Sequence, residues 1–484
     1  MLENLKAASR RRRAAQAKVA NAATFHPPRN DMLPELQLVR RDPGGLLAPV
    51  RRKVRNADAA HIREVANAIA ALGFCDPVLI DEDGRVLDGI IRVEAAKLLG
   101  LSAVPCILAS HLTVAERRML RLAVNRLGEK GEWDVDELKL ELEELMVSGF
   151  PIEISGFSIG EVDQILIGEG AEAVEAGPLA PPDTARAVAR LTDVFLLGEH
   201  RVVCGDATQP EALDLAMCES LARVVLTDQP YNVRIAGHVT GGDHREFAMA
   251  SGDMTSEQFQ AFNEAWIHEA EGHLVDGGLL ATFIDWRGLS SVTAAAVATR
   301  LEQINLVVWG KTNAGMGSLY RSQHELLPIF KKGRAPHINN VDLGRRGRWR
   351  SNLWTYPGAS SVGSDARRGL QHHPTVKPVT MLEDALLDVT NRGDIVLDPF
   401  LGSGSTLIAA EKTGRVCRGV ELDPLYVDVI ATRYQEVTGR QAVLESTGET
   451  FTEVRTRRAG ERATTDAADI SQDYDGDART RNSA

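Results

Sequence analysis

The stretch "GDIVLDPFLGSGSTLIAAEKTGR", Gly393 to Arg415, constrains the fold more than any other. An apolar run, Ile395 to Leu397, ends in Asp398 and turns through a glycine-rich loop into a helix that opens near Thr406. Gly402 and Gly404 allow backbone angles and close approaches that a side chain would block. Amides at the helix start face whatever sits above the sheet, and ligands of such sheets bind beyond the carboxyl ends of the strands. The next strand, "VCRGVELD", ends in Glu421 and Asp423, an acidic tip suited to two ribose hydroxyls. Loop and acid together imply a nucleoside-containing cofactor. No Gly-Lys-Ser/Thr follows the glycines, so the loop is not a nucleoside-triphosphate P-loop.

The same rhythm extends over residues 190–450. "RVVCG", "RVVLTD", "GGLLATFID", "INLVVWG", "ELLPIFK", "DIVLDPF" and "CRGVEL" are apolar strands alternating with helices, which predicts an α/β domain with a mostly parallel sheet. Residues 35–166 form a separate unit: a helix at "HIREVANAIAALGF", a hairpin turning at Asp83–Gly84, a strand at "VPCIL" and two further amphipathic helices. Between them, residues 167–189 are rich in Gly, Ala, Pro and acid and read as a linker. Residues 1–34 read as a basic, weakly ordered arm and 451–484 as a disordered tail.

The net charge of −12 excludes a generally basic nucleic-acid coat, so any such contact must be a local patch. Lys331 to Arg350 is that patch, carrying Lys331, Lys332, Arg334, Arg345, Arg346, Arg348 and Arg350 with Trp349 among them. Asn339 and Asn340 are candidate adenine readers there. The five cysteines are scattered, without a CxxC pair, which suits a reducing, cytoplasmic compartment and no structural zinc. No apolar run approaches the length of a membrane-spanning helix. His238 and His244 flank Asp243 without helix or strand spacing, so no metal is expected.

"DPFLGSGST" followed by "GVELDPLY", together with "HPTVKPVTMLEDAL" from His373 and "TDQPYN" at 227–232, resembles the DNA amino-methyltransferases. The order of these motifs is that of the circularly permuted beta group. The resemblance implies a Rossmann-like S-adenosylmethionine-dependent sheet over 190–450, with 311–372 as target-recognition region. It implies S-adenosylmethionine as cofactor, contacted by Asp206, Lys377, Asp398, Phe400, Gly402, Gly404, Thr406, Glu421 and Asp423. It gives catalysis to Asp228, Gln229, Pro230 and Tyr231, the counterpart of an Asp-Pro-Pro-Tyr tetrad. The substrate it implies is an exocyclic amine, adenine rather than cytosine, on a base flipped out of duplex DNA. Two acceptors, the Asp228 carboxylate and the backbone carbonyl of Gln229, would draw electron density onto the amine, with Tyr231 stacked on the base.

Gln229 departs from that pattern. It keeps a main-chain carbonyl but lacks the fixed backbone angle of proline, which predicts a looser, weakened site. The alternatives are a catalytically weak or inactive DNA-binding adaptor, or methylation of cytosine N4 or protein glutamine. "PVLIDEDGRVLDGIIRVEAAKLLGLSAVPCI" resembles the ParB/sulfiredoxin-like domains, a small α+β unit, whose ligand would be a nucleotide or a protein partner. That family carries a polar residue where Ile90 stands, leaving Arg92 either as a phosphate contact or as a surface residue at a helix start. The resemblance implies double-stranded DNA as partner, admits a homodimer and involves no membrane.

Overall fold

The computed structural model describes residues 34–48, 58–128, 131, 133–148, 151–167, 187–233, 252–312, 319–341, 350–357 and 377–461. The basic arm up to residue 33, most of the linker, the histidines beside Asp243, the three arginines Arg345, Arg346 and Arg348, His373 and the tail from 462 lie outside the described residues. The chain divides into two compact units, Met1–Phe157 and Ser158–Ala484.

The first unit is built on a four-stranded sheet of β1 (Gln37–Arg41), β2 (Val78–Ile80), β3 (Val86–Asp88) and β4 (Val104–Leu108), ordered β1-β4-β2-β3. The β2–β3 hairpin closes on Asp81, whose Oδ1 accepts from the amides of Asp83 and Arg85. Helices α1 (Ala59–Leu72) and α2 (Ile90–Leu98) come with this sheet, and α3 (Val114–Gly128) and α4 (Val135–Val147) follow it. Val78, Ile80, Val86, Val93, Val104 and Cys106 form the core, as the apolar alternation predicts. Arg92 is half-buried and tied into its own unit. Its guanidinium donates to the carbonyls of Asp76 and Pro77 and to Asp88 Oδ2 at 2.6 Å. It also lies so close over Gly89 that a Cβ there would come within 2.9 Å of its Nε.

The second unit begins with α5 (Ile159–Ile167). The division at Phe157–Ser158 thus falls before the boundary at 166 expected from sequence. Its remaining elements, in chain order, are β5 (Val194–Leu197), β6 (His200–Cys204), α6 (Pro210–Met217), β7 (Ala222–Thr227), α7 (Ser256–Gly272), β8 (Leu274–Thr282), α8 (Leu289–Ala298), β9 (Glu302–Lys311), β10 (His324–Lys331), β11 (Leu353–Tyr356), α9 (Val379–Val389), β12 (Ile395–Asp398), α10 (Ser405–Thr413), β13 (Val416–Glu421), α11 (Pro424–Thr438) and β14 (Ala442–Leu444). The ten strands form one sheet ordered β11-β9-β10-β8-β7-β12-β13-β6-β5-β14. Its centre, β8-β7-β12-β13-β6, is parallel; antiparallel pairs join the flanks to it, and at one edge β11 runs parallel to β9. Chain order runs outward in opposite directions from β7 and β12, so their shared edge is the switch point where crossovers diverge and a crevice opens.

Residues 451–461, expected to be disordered, are helical. Thr450 and Glu453 cap that helix reciprocally. Phe451 and Val454 are fully buried, with Phe451 edge-on to Phe195 at 5.7 Å. Two apolar anchors outweigh the polar character of the segment around them.

Candidate active site

At the switch point, the tips of β7 and β12 are joined. Thr227 Oγ1 donates to Asp398 Oδ1 at 2.5 Å, and the same oxygen accepts from the Phe400 amide. Burial pushes the Asp398 carboxyl up to about 6 against the pull of its hydrogen bonds from Thr227, Thr406 and Phe400. The loop beyond it turns on Gly402 and Gly404, both at positive φ, and a Cβ on Gly404 would lie 3.2 Å from Ile430. Glu421, at the tip of β13, accepts from the amides of Gly402 and Asp423, each at 2.8 Å. Burial raises this carboxyl to about 7, again against those amides. Asp423 caps α11 through the Leu425 amide, and Asp206, after β6, closes its own turn on Thr208. Four acidic side chains, Asp398, Glu421, Asp423 and Asp206, therefore follow the tips of three neighbouring parallel strands.

Asp228 and Tyr231 stand at the end of β7. Asp228 Oδ1 accepts from the Tyr231 hydroxyl at 2.9 Å, and Oδ2 from Lys377 Nζ at 2.5 Å. Lys377, expected from sequence as a cofactor contact, has its buried ammonium beside this turn, in a box made by the rings of Tyr231, Phe283 and Trp309. Its second acid is Glu325 on β10, with Nζ and Oε2 3.2 Å apart. Glu325 in turn holds Lys311, at the end of β9, at 2.5 Å. Burial pushes Asp228 above the usual carboxylate range, Lys377 opposes this and Glu325 reinforces it. Burial would also raise Glu325, but Lys377 and Lys311 hold it down at about 2.

The Tyr231 hydroxyl lies 2.9 Å from both Asp228 Oδ1 and Glu325 Oε2. The single hydroxyl proton serves one of these contacts at a time. Sequence reading missed Glu325, Lys311, Phe283 and Trp309, because only the sheet register brings them to β7. Asn232, at φ 54°, ties the turn to the backbone of Gly252 and Met254.

Gln229 is anchored rather than loose. Its side chain is 1% exposed and its Oε1 accepts from Trp266 Nε1 at 2.7 Å. Trp266 packs edge-on against Phe400 of the cofactor loop at 5.5 Å. The missing proline ring is thus replaced by a side-chain tether to α7.

The described residues of the expected basic patch have acidic or aromatic neighbours. Lys331 faces Glu302 at 3.7 Å, Lys332 binds Glu271 at 3.2 Å, and Arg350 lies on Trp354 with Asp388 at 2.6 Å. β10 runs antiparallel to β8, so Lys331 and Lys332 lie away from the β8 end that borders Asp228. Arg334 is exposed, on that same remote side. Asn340 is a core residue whose Nδ2 donates to the carbonyls of Leu387 and Thr390, each at 2.9 Å, and it is closed to a base edge. Exposed side chains border the catalytic edge elsewhere: Trp286 with Arg287 over its ring, and Leu319, Tyr320 and Arg321 before β10. Among the described residues, no group of three or more His, Cys, Asp or Glu could hold a metal ion, and no helix is long and apolar enough to cross a membrane.

Residues 222–432 match the family described as DNA methylase (N6_N4_Mtase), and residues 136–191 match the ParB-methyltransferase HTH domain. Type II methyltransferase M2.DpnII of Streptococcus pneumoniae is 26% identical over 47% of this chain and 84% of its own. Type II methyltransferase M2.MboI of Moraxella bovis is 29% identical over 37% of this chain and 66% of its own. Among solved structures, the M1.HpyAVI–SAM complex aligns with 48% of this chain and 97% of its own at 21% identity, with a TM-score of 0.37.

Proposed function

We propose that this chain, whose residues 222–432 match the DNA methylase family and 136–191 the ParB-methyltransferase HTH domain, methylates the exocyclic amine of an adenine flipped out of duplex DNA. One observation carries the reading: the Thr227–Asp398 hydrogen bond at 2.5 Å joins the strand of the catalytic turn to the strand of the cofactor loop. S-Adenosylmethionine supplies the methyl group on a sulfonium centre. The donor set fits it: the buried Glu421 carboxylate suits ribose hydroxyls, and the acids around it suit a cationic ligand. Asp228 accepts one amine N–H and the Gln229 carbonyl the other, so nitrogen recovers the electron density its ring had drawn away. Most of the acceleration comes from position and fixed dipoles. Tyr231 gives the base a face to stack on. An aspartate in the first position of the turn favours adenine over cytosine. The exposed Trp286, Arg287, Tyr320 and Arg321, on the catalytic edge, are the described side chains best suited to duplex contact.

Long-read sequencing of DNA from cells that express the protein tests this reading. N6-methyladenine in a fixed sequence context is the expected result. N4-methylcytosine would replace adenine by cytosine, and no new modified base overturns the enzyme.

Two further results are expected. Cofactor affinity rises with pH through about 7, because burial holds the Glu421 carboxyl protonated up to there and its ionised form accepts the ribose hydroxyls best. Glu421→Gln flattens that rise and weakens binding by about 1.5–3 kcal/mol, the worth of hydrogen bonds to a charged group; calorimetry across pH reads both. Gln229→Pro keeps kcat within about threefold of the parent, since the tether to Trp266 already fixes the turn. Gln229→Ala, with neither ring nor tether, falls by about tenfold, the rate equivalent of one hydrogen bond. Tritium-methyl transfer measures the pair, and a large gain in Gln229→Pro would show that the native turn is loose.

A further inference from the structure

Four charges alternate through the catalytic turn: Lys311, Glu325, Lys377 and Asp228. Lys377 Nζ sits 2.5 Å from Asp228 Oδ2 and 3.2 Å from Glu325 Oε2. The Lys377 ammonium therefore engages Asp228 on one oxygen, and the Tyr231 hydroxyl engages the other at 2.9 Å. A substrate amine needs one of those oxygens. A buried ammonium left without a counter-ion is strongly destabilising, so Lys377 can leave Asp228 only if a second buried carboxylate stands ready. Glu325 is that carboxylate: it already touches Lys377 and the Tyr231 hydroxyl, and Lys311 occupies its remaining oxygen.

We propose that Glu325 is a positioning residue, the alternative partner onto which the Lys377 ammonium and the Tyr231 hydroxyl shift so that Asp228 can receive the substrate amine. The inference rests on the methyl-transfer reading and names a residue outside the tetrad and the cofactor loop. It explains why a strand facing the turn carries a buried Glu–Lys pair of its own. With Glu325 gone, Lys377 has only Asp228 to hold, and Asp228 remains blocked.

Among the described residues, the charged and titratable groups facing the turn are Lys311, Glu325, Lys377, Asp228 and Tyr231, with Asp398 beyond Thr227. Glu325 raises the proton affinity of Asp228; removing it lowers that affinity. Glu325→Gln is therefore expected to lower kcat by roughly tenfold or more, to leave cofactor affinity unchanged, and to move the acid limb of the pH–rate profile to lower pH. Glu325→Asp recovers most of the rate. Because Glu325→Gln leaves two lysines against one acid, the paired variant Glu325→Gln with Lys311→Met keeps the charges balanced and the fold secure. It should be as slow as Glu325→Gln. Full activity in the paired variant, or in Glu325→Gln, overturns the proposal. A second measurement is independent of turnover: in protein labelled with 13C at aspartate carboxyls, Asp228 titrates at lower pH in Glu325→Gln than in the parent. If the parent transfers no methyl group, the methyl-transfer reading fails, and this titration still decides whether Glu325 governs Asp228. An unchanged titration overturns it.

Discussion

Asp228→Asn is expected to bind S-adenosylmethionine as the parent does and to lose roughly 10²–10³-fold in kcat, the usual effect of removing one preorganised group aimed at developing charge. Asparagine keeps the size of the side chain and one acceptor oxygen but not the charge that stabilises the amine as it becomes positive. The fold tolerates the change, because Lys377 retains Glu325 as a partner at 3.2 Å. The cofactor edge tolerates it as well, since Thr227, not Asp228, makes the bond to Asp398. The pH profile supplies a second signature. Burial raises the Asp228 carboxyl above its ordinary range, so parent activity climbs as pH rises through that elevated value and Asp228 ionises. Asp228→Asn has no such limb. Single-turnover methyl transfer with calorimetric cofactor binding separates the two effects, and an unchanged kcat would remove Asp228 from the chemistry.

Much of this site is legible in sequence because its parts sit at the ends of apolar runs. A buried strand followed at once by an acid, as in "VVLTD", "IVLD" and "GVELD", has little use for that charge unless a ligand meets it. Asp228, Asp398 and Glu421 are found that way. Glu325 is not, because "QHELLPIF" reads as an ordinary strand start. Its meaning comes from Lys377 and Asp228, which lie far away in the chain and meet it only through the order β10-β8-β7. The described part of the basic stretch is only half legible, for the opposite reason. Composition shows Lys331, Lys332 and Arg350 but hides the acids of Glu302, Glu271 and Asp388 that face them in the fold. Asn340 misleads likewise: its amide satisfies carbonyls at the end of α9 that a sequence pattern does not reveal as unpaired.

Asp163→Ala is expected to cost about 3–5 kcal/mol of stability, the effect of breaking a buried ion pair from one side. Asp163 is 1% exposed and lies on α5, a helix that sequence composition assigns to the N-terminal unit. Its oxygens instead meet Arg415 Nη1 at 2.8 Å and Arg392 Nε at 3.1 Å, at the turns that enter β12 and β13. Arg415 is fully buried and also binds the carbonyls of Thr413 and Thr390, so it cannot swing out to water when Asp163 is removed. A second contact closes the joint: Gly160 lies so near Asn340 that a Cβ would come within 3.3 Å of its side chain. The helix therefore braces the strands that carry Asp398 and Glu421, and a fragment starting at 187 should lose the same brace. Urea unfolding of the full chain measures the effect. Asp163→Leu combined with Arg415→Met should recover most of the loss, because an apolar pair leaves no charge unpaired. If Asp163→Ala unfolds at the parent's urea midpoint, α5 is not part of the catalytic domain's stable core.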